Sequence, residues 1–145
     1  MAFRFSLAAV LVVRENALKR EEQALKTIQL EIAGIARQVE ELNTNIASTH
    51  NARELALQHP IAAAQLHSFQ QRVQALVEAK KTLVHRLQIL ELDRERQMKV
   101  YQAAHRDLET IVEMFNEQRE AHDREHDRNE QKHLDDIFVA RRQRN

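Results

Sequence analysis

Residues 25–46, LKTIQLEIAGIARQVEELNTNI, place an aliphatic side chain at alternating steps of three and four residues. This spacing is the heptad repeat by which one face of a helix packs against a partner helix. Over residues 7–46 the same stepping finds ten aliphatic side chains in twelve positions, and only Arg14 and Glu21 depart from it. The repeat predicts one long helix with an apolar seam.

A second seam runs through residues 62–115, where thirteen of sixteen positions are apolar. Pro60 stands just before it, disfavours helix at His59 and suits the first turn of the following helix. Two long seams with one break predict an all-α fold, a two-helix antiparallel coiled-coil hairpin with a projecting C-terminal helical arm. We expect a single elongated domain made of helix 1 over about 6–52, a tip over about 53–61, a paired helix 2 over about 62–115 and an unpaired arm over 116–145.

Capping residues supply the predicted ends of helix 1. Ser6 is placed to cap its start, with Phe5 just outside it as a staple residue. The richest cluster of cap residues in the chain is Ser48-Thr49-His50-Asn51, which favours an end near residue 52. Asn51 and Glu54 have the spacing of a capping box for a short continuation.

The composition agrees with long helices and excludes several classes of protein. Ala, Glu, Lys, Leu and Arg make up 73 of the 145 residues, beside one Gly, one Pro and no Cys. Too few glycines exist for a phosphate-binding loop, and disulfides and thiolate metal sites are absent. Lys and Arg number 22 against 22 Asp and Glu, so no basic excess indicates a nucleic-acid partner. The apolar run at residues 7–13 is too short for a membrane span, which predicts a cytoplasmic protein.

Position numbers of facing residues have a constant sum in an antiparallel pair. A sum of 115 aligns both seams, and it places Glu21 opposite Arg94, the register pair. A sum of 122 would instead place Ile28 opposite Arg94. We prefer 115 because a seam charge without a partner costs more than a paired one. The alternative is that both charged side chains extend to water.

The register of 115 leaves residues 116–145 beyond the end of helix 1. From Asn116 to His133 the only residue counted as hydrophobic is Ala121. Bulky apolar and then basic residues follow at Leu134, Ile137, Phe138, Val139, Arg141, Arg142 and Arg144. Because no part of the hairpin can cover them, this end of the arm indicates a protein partner.

No catalytic constellation is visible. His122 and His126 have the i, i+4 spacing of a helical metal site, but the order of a zinc protease, H-E-x-x-H, is absent. We interpret them as part of a solvated charged face. Two helices also enclose no substrate cavity, so we predict no enzyme activity and no cofactor or metal.

Three segments resemble the FliJ family, the coiled-coil component of the bacterial flagellar type III export apparatus. They are Phe3-Arg4-Phe5-Ser6-Leu7 with Val10-Leu11 and Arg14-Glu15, then Phe69-Gln70-Gln71 with Val73-Gln74 and Leu76, and finally residues 130–137, EQKHLDDI. The resemblance implies a stalk whose chain ends enter the pore of the hexameric flagellar export ATPase and promote its assembly and activity. It further implies contact with the cytoplasmic domain of the membrane export gate, and some members also bind export chaperones.

The resemblance and the seam together assign residues to these partners. For the ATPase we expect Val10, Val13, Leu134, Ile137, Phe138, Arg141 and Arg142. For the gate the resemblance implies Gln38, Leu42, Leu76 and Ala79, although Leu42 and Leu76 also belong to the seam. Asn45, Thr49 and Arg72 stand where some members have aromatic residues. We expect a monomer when isolated, peripherally associated with the inner membrane at the export apparatus.

Two alternatives remain. The stalk of a virulence type III secretion system would share nearly all of these features. A generic coiled-coil scaffold or dimerising spacer would instead be a dimer whose C-terminal tip pairs with itself.

Overall fold

Two long α-helices form the fold. The computed structural model describes residues 2–145, and in this range the regular elements are α1, Ala8–Leu57, and α2, Ala63–Arg144, with no strand. The helices pack against each other in antiparallel directions, which confirms the predicted all-α helical hairpin.

The turn between the helices is short and centres on Pro60. The amide of Gln58 donates to the carbonyl of Leu55 at 3.3 Å, and that of His59 to Ala56 at 3.3 Å, so the last turn of α1 tightens to i, i+3 bonds. Pro60 has no N–H to extend this pattern. The next helix begins where the amide of Gln65 donates to the carbonyl of Ala62 at 3.0 Å. The single proline therefore marks the turn, as expected.

Both ends of α1 differ from the prediction. The helix runs without interruption through the cap-rich cluster at residues 48–51, because the Thr49 hydroxyl donates to the carbonyl of Asn45 at 2.8 Å and needs no break in the helix. At the other end α1 begins at Ala8, and the Ser6 hydroxyl donates to the side chain of Gln118 at 3.5 Å rather than capping the helix.

The predicted seams form the interface. In the first seam every position except Arg14 is buried or half-buried, and in the second every position except Ala62 and Arg94. Among the apolar residues of the described range 2–145, only Leu25, Ile35 and Leu90 are less than a tenth exposed. A pair of helices covers one face of each partner, so most seam side chains keep some contact with water.

Contacts within the chain cluster into two compact units. One joins Met1–Glu21 with Tyr101–Asn145, and the other is Glu22–Val100. Within the first, Arg14 pairs with Asp107 at 3.3 Å. Within the second, Glu31 pairs with Arg86 at 3.0 Å.

These cross-helix pairs have position sums of 121 in the first unit and 117 in the second, above the predicted layer sum of 115. Glu31 and Arg86 flank the seams, where charged side chains pair a few positions away from the layer itself. Arg14 is itself a seam position, so its pairing with Asp107 departs from the predicted layer sum. Glu21 is half-buried and Arg94 is exposed. Their pairing stays a prediction.

Candidate interaction surfaces

An aromatic cluster ties the N-terminal segment to α2. The ring of Phe115 contacts the rings of Phe3 and Phe5 edge to face. The centroid distances are 5.5 Å to Phe3 and 5.2 Å to Phe5. Phe3 also packs on His122, again with centroids 5.5 Å apart. Edge-to-face pairs place the positive edge of one ring on the negative face of another, so they add to the gain from burial. Residues 3–5 are therefore held on α2 although they are not helical.

This cluster corrects two expectations about the arm. Gln118 and His122 are half-buried, so the exposed part begins after His122 and not at Asn116. The interpretation of His122 as part of a solvated face is also wrong, because its Nδ1 atom is shielded from water and lies 3.7 Å from a carboxylate oxygen of Asp123. His126 fits that interpretation better, since it is exposed and lies 3.3 Å from Glu130.

Residues 123–144 form the exposed arm, and the helix continues through all of it. Its end carries large apolar side chains in water, with exposed fractions of 61% for Leu134, 38% for Ile137, 69% for Phe138 and 52% for Val139. Arg141, Arg142 and Arg144 occupy the last turn. Basic residues at this position interact favourably with the negative end of the helix dipole, so they stabilise the helix end. They place positive charge on the C-terminal side of the apolar side chains, whereas Asp135 and Asp136 lie between Leu134 and Ile137.

The structure does not bring the two halves of the expected ATPase surface together. Val10 is half-buried, whereas Val13 is 63% exposed. The neighbouring Arg14 pairs with Asp107, which lies 27 residues before Leu134. At about 1.5 Å per residue, the two apolar patches are therefore about 40 Å apart along α2.

Three of the four residues expected at the export gate share one groove between the helices. Gln38, Leu42 and Ala79 line an open depression of about 490 Å³. The fourth, Leu76, is half-buried in the seam. The remaining lining residues, which we did not anticipate from the sequence, are Glu41, Asn45, Thr82 and Leu83. Their spacing of three and four from the expected residues is the signal that would have identified them.

The positions at which some family members carry aromatic residues have separate surroundings. Asn45 lines the groove. Thr49 is 6% exposed and faces the interior. Arg72 lines a smaller depression of about 230 Å³ near the turn, together with Phe69.

The sequence model of one protein family, described as flagellar FliJ protein, matches residues 3–145, which is nearly the whole chain. The chain belongs to the FliJ family. No curated protein and no solved structure matches it. FliJ proteins are components of the flagellar export apparatus, so membership places the chain there and agrees with the flagellar prediction and not with the virulence alternative.

The remaining features of this FliJ family member concern membranes and metals. Across residues 2–145, neither helix contains a stretch that is both long and apolar enough to cross a bilayer. The same residues hold no group of three or more metal-ligating side chains of the His, Asp and Glu type.

Proposed function

We propose that the chain is a stalk of the flagellar export apparatus that binds the hexameric export ATPase through its arm and the export gate through the groove at Gln38, Leu42 and Ala79. The observation that carries the ATPase part is the cluster of exposed apolar side chains at the end of the arm, followed by the basic last turn. Export chaperones are a third partner, and their inclusion rests on the family resemblance alone.

The side chains of the arm, residues 123–144, are exposed along its whole length. A single helix without a partner is marginal in water, because its stability in proteins comes mainly from burying one face. The side chains of Leu134 and Phe138 are more than 60% exposed. Burying such a side chain fully contributes about 1.5–3 kcal/mol. A socket inside a ring would supply the contacts that residues 123–144 lack.

The basic residues add a requirement on the socket. Arg141 and Arg142 lie three and four residues after Phe138, so both are within one turn of it. An apolar socket with acidic groups at its rim would match this pattern, and pairing those charges would also favour rapid association at low salt.

The groove supports the gate part of the proposal. It combines the apolar side chains of Leu42 and Leu83 with the amides of Gln38 and Asn45. An apolar floor with a few polar groups at its edges is the usual composition of a protein-binding site.

The test of ATPase binding measures ATP hydrolysis and ring assembly by the export ATPase with the intact chain and with two variants. In the first variant Ile137 and Phe138 are replaced by Ser, and in the control Leu30, which is 65% exposed in the other unit, is replaced by Ser. We expect the first variant to lose most of the stimulation and the control to keep it. Equal stimulation by both variants would contradict the proposal.

A truncation complements these substitutions. A chain that ends at Glu130 keeps the contacts of Phe3 and Ser6 with α2 and removes only the apolar and basic end of the arm. We expect loss of stimulation with an unchanged melting temperature. Full stimulation by this chain would show that the ATPase contacts lie elsewhere.

A further inference from the structure

The one glycine of the chain, Gly34, has no role that the fold explains. It lies in the middle of α1, where glycine is less favourable than alanine because it loses more backbone freedom. Its φ is not positive, so its backbone conformation suits any residue. Apart from its two chain neighbours and the nearby backbone of α1, a Cβ atom added to it would meet no atom of residues 2–145 within 4 Å. Neither backbone geometry nor internal packing requires a glycine here.

Gly34 lies on the face of α1 that forms the groove. Gln38, Glu41 and Asn45 follow it at intervals of four, seven and eleven residues, which is the spacing of one helical face. All three line the groove. Gly34 is therefore one turn, about 6 Å, beyond Gln38 along the same surface. The Glu31–Arg86 ion pair lies one further turn along.

The groove also offers unused hydrogen-bonding groups. Within residues 2–145 the side-chain amides of Gln38 and Asn45 make no hydrogen bond, and each has both donor and acceptor atoms. The Thr82 hydroxyl is already used, because it donates to the carbonyl of Glu78 at 3.2 Å. The two amides lie about 10 Å apart along α1, and this separation equals the length of about three residues of extended chain.

These observations separate two kinds of occupant. The backbone groups of a helix bond to each other, so a docked helix would leave both amides facing only side chains or water. An extended segment presents free N–H and C=O groups to them. The missing side chain at Gly34 lets such a backbone pass close to α1.

We propose that the groove binds an extended peptide segment of its partner, with an apolar side chain seated on Leu42, Ala79 and Leu83, and that Gly34 is the position where the partner backbone crosses α1. The amides of Gln38 and Asn45 hold that backbone. This inference rests on the proposed binding of the export gate at the groove.

The experiment measures the affinity of the full-length chain for the purified cytoplasmic domain of the export gate, by titration calorimetry. Ala79→Glu tests the groove itself and should abolish binding. Gly34→Leu fills the crossing point and should weaken binding at least tenfold. The matched control is Ala33→Leu, whose side chain lies about 100° around the helix from position 34. This control should change the affinity less than twofold. Gln38→Met keeps the shape of the side chain without its amide and should weaken binding about threefold to tenfold.

The outcomes distinguish the inference from the proposed function. Absence of binding by the unchanged chain, or binding that survives Ala79→Glu, would contradict the proposed function and the inference with it. Loss with Ala79→Glu but not with Gly34→Leu would leave the gate site standing and overturn the role of Gly34. An unchanged affinity of Gln38→Met would overturn the claim that this amide holds an extended partner backbone. Melting curves provide the folding control, since Gly34→Ala and Gly34→Leu should both raise the melting temperature by removing a glycine from a helix.

Discussion

Phe3 packs edge-on against Phe115, with ring centroids 5.5 Å apart and planes inclined by 72°. This contact joins a residue outside α1 to the last position of the second seam. It extends the paired region past the start of α1 at Ala8, because residues 3–5 occupy the face of α2 that helix 1 does not reach. The N-terminal segment thus takes the place of further helix, and the exposed arm is correspondingly shorter.

The aromatic cluster should be a local source of stability. Phe115→Ala removes a ring that two other rings contact, and we expect a loss of about 2–3 kcal/mol in the free energy of unfolding. Urea unfolding followed by circular dichroism measures this change, and faster trypsin cleavage after Arg4 should report release of the segment. Val112→Ala, at a side chain that is 40% exposed on the same helix, is the control and should cost less than about 0.5 kcal/mol. Equal losses for the two variants would contradict a specific role of the cluster.

Leu90 has the lowest exposure among the core side chains, 2%. Leu90→Ala should lower the free energy of unfolding by about 2–4 kcal/mol, since the lost transfer energy adds to the cost of a cavity. Leu92 is 54% exposed on the same helix, so Leu92→Ala should change stability by less than about 0.5 kcal/mol. Urea unfolding of both variants under identical conditions gives the comparison. A smaller loss for Leu90 than for Leu92 would mean that the seam is not the interface.

The register can be measured with introduced cysteines, because the chain has none of its own. A disulfide needs Cα atoms within about 7 Å. The predicted layer sum of 115 requires efficient oxidation of a variant with cysteines at positions 21 and 94. Mobility on a non-reducing gel reports which cysteine pair is linked. Efficient linkage of positions 28 and 94 instead would establish the sum of 122 and refute the Glu21–Arg94 pair.

The isolated chain should be a monomer. The hairpin buries its seam within one chain, so no second copy is needed to cover it. Light scattering coupled to size exclusion should give a mass near 17.0 kDa at micromolar concentration. In the scaffold alternative the tips of two arms pair. A stable dimer would support that alternative if replacing Ile137 and Phe138 by Ser made it dissociate.

Several features followed from local chemistry. The helices are long because the seams repeat with no proline inside them and the one glycine, Gly34, does not interrupt α1. The turn falls at Pro60 because that residue ends the hydrogen bonding of α1. The family resemblance was also visible from short motifs at both ends of the chain, and the family match over residues 3–145 agrees with it.

Other features could not be read from the chain alone. Thr49 looked like a helix-ending residue because threonine prefers caps, yet its hydroxyl bonds back to Asn45 inside a continuous helix. His122 looked solvated because its sequence neighbours are polar, although Phe3 covers it from a segment more than a hundred residues away. Local preference does not include such contacts.

The sequence by itself determined that two long helices form, which of their faces pair and where the turn lies, because heptad spacing and one proline act over a few residues. Only the tertiary structure decided which residues of α1 lie beside which residues of α2. It placed Gln38 and Asn45 of α1 beside Ala79 and Thr82 of α2 in one groove, and it covered the start of the expected arm with Phe3. The physical reason is that side-chain packing between distant segments sets these contacts, and a repeating seam is compatible with more than one alignment.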